Sequence, residues 1–121
     1  MHQLACSRKY QISHEYETVW LDLAGRNRIV IGDFYGDPTV ALIDSAEAWC
    51  AVGGSGLIVY FLEEPFEGFE YDRITSQFRE FGREASDTWQ IESITQIGIF
   101  EVQVVLESGA THNVVFERTS P

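Results

Sequence analysis

Short alternating runs of apolar and polar residues, separated by turn-forming groups at regular intervals, cover most of the 121-residue chain. This spacing is typical of a mainly β domain. The run at residues 57–62 is apolar on both faces, which predicts a strand buried on both sides at the centre of a sheet. The other predicted strands are residues 28–34, 39–44, 48–52, 88–97, 99–107 and 111–117.

Two further segments carry less simple patterns. Residues 16–23 fit either a strand or an amphipathic helix, and we favour the strand. Tyr71, Ile74, Phe78 and Phe81 recur at spacings of three, four and three, which predicts a helix over about residues 72–82. Asp72 would be the N-cap of that helix, and Gly82 lies where its C-cap is expected.

These elements together predict the fold class. We expect an α+β domain, mainly antiparallel, in which seven or eight short strands form a curved sheet and one helix, about residues 72–82, packs against it. A β-sandwich is the alternative. The chain has the length of one domain and no visible repeat or linker, so residues 1–121 are expected to form a single domain.

Charge narrows the classes of function. Nineteen acidic and eight basic residues give a net charge of −11. Such a surface repels phosphate, so we expect no nucleic-acid partner and no anionic membrane partner. We see no apolar run of secretory or membrane-spanning length, and the two cysteines do not require a disulfide. A reduced, cytoplasmic protein is the expectation.

Motifs for chemistry are scarce, and we expect no enzyme, no cofactor and no metal. Cys50 lies in an apolar run that does not favour a thiolate. The group His14-Glu15-x-Glu17 is interpreted as a solvated loop edge and not as a metal site. The glycines of residues 53–56 precede an apolar strand without a lysine, so they indicate a hairpin turn and not a phosphate loop.

An acidic, aromatic segment at residues 63–72 is the strongest candidate for function. Its aromatic side chains either dip into the core or offer contact area to a partner, and its carboxylates would complement lysine and arginine. The predicted partner-binding residues are Glu63, Glu64, Phe66, Glu67, Phe69, Glu70 and Asp72.

A second candidate is the turn around Asp33 and Asp37. The two carboxylates flank an aromatic pair that would form a wall for a small ligand. The alternative ligand-binding residues are Asp33, Tyr35, Asp37 and Trp49. Either a small-ligand module or an unassigned enzyme would use this loop.

Three stretches of the chain, residues 41–44, 49–60 and 64–67, resemble small bacterial immunity or antitoxin-like proteins of polymorphic toxin systems. The resemblance implies a cytoplasmic bacterial protein that binds a cognate toxin and blocks it. It assigns no role to any individual residue. Because nuclease toxins are often basic, the negative charge is compatible with such a partner.

The sequence therefore favours a non-catalytic, acidic protein-binding module for a basic protein, with a toxin-neutralising immunity protein as its specific form. The Asp33–Asp37 ligand site is the alternative. A homo-oligomer is a further option if residues 99–107 form an open sheet edge.

Overall fold

The computed structural model describes residues 2–23, 27–70 and 75–117, and all regular secondary structure in them is β. The strands form three antiparallel meanders and one small hairpin. The first sheet contains β1 (His2–Cys6), β2 (Tyr10–Glu15), β3 (Thr18–Leu23) and β4 (Arg28–Asp33). The central sheet contains β5 (Val40–Ile43), β6 (Trp49–Gly54), β7 (Gly56–Phe61) and β8 (Phe78–Phe81). The hairpin is β9 (Arg83–Glu84) with β10 (Asp87–Thr88), and the third sheet contains β11 (Ile91–Gly98), β12 (Glu101–Leu106) and β13 (Thr111–Val115).

The α+β prediction is wrong. Within the described residues there are thirteen strands, not seven or eight, and no helix. The β-sandwich alternative is consistent with this all-β architecture. Among the described residues, accordingly, no helix is long and apolar enough to cross a membrane.

The predicted helix over residues 72–82 fails for a physical reason. Phe78 and Phe81 belong to β8, which pairs with β7. Phe78 packs in one hydrophobic cluster and Phe81 against the other. When a strand is covered on both faces, apolar residues can occupy positions on either face. Their spacing along the chain can then match that of an amphipathic helix. Residues 71–74, including the proposed N-cap Asp72, lie outside the described residues.

The central sheet is buried on both faces, which confirms the prediction for residues 57–62. Every residue of β6 and β7 is buried. Side chains that alternate along these strands divide between two cores. The first core lies between the central sheet and the first sheet and contains Cys50, Val52, Ile58 and Tyr60. The second core lies between the central sheet and the third sheet and contains Trp49, Ala51, Leu57 and Val59. The described chain thus forms three β layers.

A very tight connection joins β6 to β7, as the glycine turn predicted. Gly54 pairs with Gly56, and only Ser55 lies between them. Gly56 has a φ of 99°, a conformation that side chains disfavour. A Cβ on Gly56 would also lie 2.1 Å from Cγ of Arg83. The glycine therefore both makes the turn and leaves room for the arginine.

The connection from β5 to β6 links the central sheet to both outer layers. The buried Asp44 carboxylate accepts hydrogen bonds from the Ala48 backbone at 3.0 Å and from the Gln96 amide of the third sheet at 2.7 Å. On the other side, Glu47 accepts hydrogen bonds from the Ser7 hydroxyl and the Lys9 backbone N–H. These bonds hold the pKa of Glu47 below its usual value.

Candidate functional site

Hydrogen bonds from buried side chains hold the backbone of the acidic segment in place. Gln77, which is fully buried, donates from its side-chain amide to the backbone carbonyls of Phe61 and Glu63. The Tyr60 hydroxyl donates to the Glu67 carbonyl at 2.6 Å. Tyr60 of β7 and Gln77, which directly precedes β8, therefore hold the backbone of the acidic segment at Glu67 and Glu63.

Aromatic and acidic side chains of this segment separate from one another. Phe66 and Phe69 are partly buried and pack against the first core, where the Phe69 ring lies 4.8 Å from that of Phe78. Glu63, Glu64 and Glu70 are exposed. Glu67 is partly buried and accepts a hydrogen bond from the Thr75 hydroxyl at 2.8 Å. Asp72 lies outside the described residues. The aromatic residues are thus mainly structural supports for an acidic surface.

The four residues of the second candidate site do not lie together in the structure. Trp49 is fully buried in the core between the central and third sheets, and its indole N–H donates to the Ile99 carbonyl at 2.7 Å. Asp33, Tyr35 and Asp37 are exposed beside the first sheet, and Tyr35 is 90% exposed. Trp49 therefore does not share a surface with the other three residues.

Tyr35 stands between two open depressions that meet at Arg83. One depression, of about 690 Å³, has Glu17, Asp33 and Phe69 in its wall. The other, of about 750 Å³, is walled in part by Glu80 and Glu84. Tyr35 and Arg83 line both. We call this continuous surface, defined by Glu17, Asp33, Tyr35, Phe69, Glu80, Arg83 and Glu84, the Tyr35 groove.

Arg83 organises the floor of the Tyr35 groove. Its guanidinium donates to the Asp33 carbonyl at 2.7 Å and lies 3.1 Å from the Glu80 carboxylate. The same group sits 4.8 Å from the centre of the Phe34 ring, a cation–π distance. These contacts tie β9 to the end of β4. Four carboxylates and one guanidinium line the groove, so its electrostatic character is acidic.

The two sequence candidates adjoin. The Phe69 backbone N–H donates to the Val30 carbonyl at 2.7 Å, which attaches the acidic segment to β4. Phe69 and Val30 both lie in the wall that contains Asp33 and Tyr35. Phe69 therefore brings the acidic segment to the wall of the Tyr35 groove, next to Asp33 and Tyr35.

Cys50 lies in the first core and not at this surface. Burial raises the pKa of Cys50 to about 12, so its thiol is protonated at neutral pH and is shielded in the first core. In the described ranges, no three or more histidine, cysteine, aspartate or glutamate side chains are grouped to hold a metal ion. The Tyr35 groove offers charge and contact area instead.

Sequence reasoning missed four residues of the groove: Glu17, Glu80, Arg83 and Glu84. They come from separate parts of the chain, and only the pairing of distant strands brings them together. The interpretation of His14 as part of a solvated loop was wrong, because His14 belongs to β2 and is buried. A weak alternation at residues 10–15 was the available signal for that strand.

No family model matches the chain, and neither a curated protein nor a solved structure gives a significant match.

Proposed function

We propose that this protein is a non-catalytic, acidic module that binds a basic protein, and that its specific role is that of a cytoplasmic immunity protein neutralising a basic toxin. The observation that carries the proposal is the junction at Phe69, where the acidic segment meets the Tyr35 groove. An acidic groove with an exposed tyrosine suits a partner rich in lysine and arginine.

Tyr35 gives this surface a contact point of suitable chemistry. Its side chain is 90% exposed and is flanked by carboxylates on both sides. Tyrosine provides a large amphipathic contact area at low conformational-entropy cost. Surrounding carboxylates raise the association rate with a basic protein, which reaches about 10⁸–10⁹ M⁻¹s⁻¹ at low salt in favourable cases.

In the alternative, a small-ligand site, Asp33 and Tyr35 remain on one surface, but Trp49 is buried in the second core. Both depressions are open and have charged walls, whereas small-ligand sites are usually enclosed and mostly apolar. The homo-oligomer was expected only if residues 99–107 formed an open sheet edge. However, β12 is hydrogen-bonded to β11 on one side and β13 on the other. Residues 99–107 therefore do not form an open edge.

The proposal is tested with two variants, each of which loses four negative charges at different positions. The groove variant carries Glu17→Gln, Asp33→Asn, Glu80→Gln and Glu84→Gln. The control variant carries Glu92→Gln, Glu101→Gln, Glu107→Gln and Glu117→Gln, which lie on or beside the third sheet. Immobilised proteins are exposed to extract of the native cell at low and high salt, and each captured basic protein is then purified and titrated by calorimetry.

We expect a basic protein that binds the parent chain and the control variant, and binds the groove variant at least about tenfold more weakly, equivalent to about 1.4 kcal/mol. High salt should weaken the parent complex because exposed charges are screened. Equal affinity for the groove and control variants, or indifference to salt, would contradict the proposal.

A further inference from the structure

A pair of histidines lies at the margin of the first core, outside the set of residues that defines the Tyr35 groove. His2 of β1 and His14 of β2 are directly opposite each other in the antiparallel register. Side chains of such a cross-strand pair project from the same face of the sheet. Their ring centres are 5.5 Å apart, and the ring planes are inclined by 30°.

The environment of His14 fixes one of its ring nitrogens. The side chain is only 7% exposed, and Nδ1 lies 3.0 Å from the Tyr16 carbonyl oxygen. A carbonyl only accepts hydrogen bonds, so in the neutral ring this contact assigns the proton to Nδ1. The lone pair is then on Nε2. Histidines that ligate metals usually donate their second ring nitrogen to a carbonyl or carboxylate in this way.

The separation of the two rings is also suitable. With a Zn–N bond of about 2.0–2.1 Å and roughly 1.2 Å from nitrogen to ring centre, two imidazoles at a tetrahedral angle on one ion place their centres about 5.2 Å apart. The observed 5.5 Å is within a small side-chain adjustment of that value.

We propose that His2 and His14 form a two-imidazole site for a divalent cation of the zinc or copper class. Imidazole nitrogen favours these ions over Mg²⁺ and Ca²⁺, which prefer oxygen ligands. Because the described residues contain no group of three or more ligating side chains, water would complete the coordination. The ion would bridge β1 and β2 at the end of the first sheet and close the margin of the first core.

The experiment uses protein without a histidine tag, so that the chain contributes only its own three histidines. Zn²⁺ is titrated by calorimetry in a large excess of Mg²⁺, which occupies the nonspecific carboxylate sites. Three single variants are compared: His2→Gln, His14→Gln and the control His112→Gln. His112 stacks on Trp89 at 4.3 Å and has no part in the pair. Cu²⁺ is then added, and its electron paramagnetic resonance spectrum reports the number of coordinated nitrogens.

We expect one Zn²⁺ per chain and Cu²⁺ coupling to two nitrogens. Each of the His2→Gln and His14→Gln variants should weaken Zn²⁺ binding by at least about tenfold, since loss of an outer-shell partner alone costs about 10–100-fold. His112→Gln should leave it unchanged. His2 is exposed, so its replacement tests the site even if the buried His14 is needed for folding.

Absence of stoichiometric Zn²⁺ binding would overturn the proposal. So would equal binding by the His2→Gln variant and the parent chain, or an equal loss in all three variants. Binding of the basic partner at the Tyr35 groove involves neither histidine, so that proposal and this one fail independently.

Discussion

The two faces of the central sheet differ in how their aromatic side chains are arranged. In the core with the third sheet, the buried rings of Trp49, Phe61 and Phe116 meet in edge-to-face contacts of 4.7 and 6.2 Å. The core with the first sheet also contains three buried aromatic residues, but its ring contacts are tilted and involve partly buried partners, as in Phe69–Phe78 at 4.8 Å. Its margin holds the buried His14, the Arg83–Phe34 contact and the acidic segment. The proposed binding features therefore gather around one core, while the other is built chiefly for packing.

This division suggests that stability and recognition are assigned to different layers. Aromatic edge-to-face pairs add to the energy of area burial, so the second core should resist change most strongly. At the margin of the first core, carboxylates and aromatic side chains are displayed for contact. Substitutions on opposite faces of one strand can test the division.

Trp49→Ala should have the largest effect. It removes the largest fully buried side chain of the second core and leaves the Ile99 carbonyl without its indole donor. We expect a loss of about 3–5 kcal/mol in the free energy of unfolding. Cys50→Ala, on the opposite face of β6, deletes one heavy atom from the first core and should cost only about 1 kcal/mol. Urea unfolding followed by circular dichroism measures both, and a loss for Trp49→Ala no larger than that for Cys50→Ala would contradict the packing of Trp49 in the second core.

Gly53→Ala should have an intermediate effect. A Cβ at Gly53 would lie 2.8 Å from Cγ2 and 3.2 Å from Cβ of Ile91, a β-branched side chain of the third sheet. We expect a loss of about 1–3 kcal/mol from overpacking. Gly32→Ala is the matched change in the first sheet, where the nearest atom is the flexible Ile58 Cδ1 at 3.0 Å. That variant should lose less stability in the same unfolding experiment, and the reverse order would show that the first interface is the more rigid.

Alkaline pH should produce the smallest effect. The unfolded chain ionises the Cys50 thiol above its ordinary pKa of 9.0, whereas burial raises the pKa in the folded protein to about 12. The folded state therefore binds more protons in this range, and stability falls as the pH rises. Between pH 8 and pH 10 we expect the parent chain to lose about 1 kcal/mol more than Cys50→Ala does. The same loss in both proteins would exclude the thiol as the cause.

Sequence patterns identified the strands whose alternation follows their burial. Residues 57–62 were placed correctly because a short run that is apolar on both faces is typical of a strand covered by two layers. β2 was missed because its buried residues include the polar Ser13 and His14, and β1 was missed because none of its residues is fully buried. The helix error at β8 arose because Phe78 and Phe81 serve different cores, and periodicity alone does not reveal a second covering layer.

The candidate site was partly predictable. The sequence indicated Asp33, Tyr35 and Phe69 as candidates because acidic and aromatic residues cluster locally around them. Trp49 was grouped with them wrongly, since alternation along a strand does not say which face meets which layer. Arg83 carried no local signal. Its importance follows from contacts with Asp33, Phe34 and Glu80 that depend on the packing of the whole chain.

The three meanders follow one another along the chain, and this order bears on biosynthesis. Each sheet pairs neighbouring segments, so each can form as it leaves the ribosome. Within the described residues, however, the apolar side of the first meander is covered by the central sheet, which emerges only after it. For a short time the nascent chain therefore exposes apolar side chains of the first sheet. The acidic residues around them would help to keep neighbouring nascent chains apart.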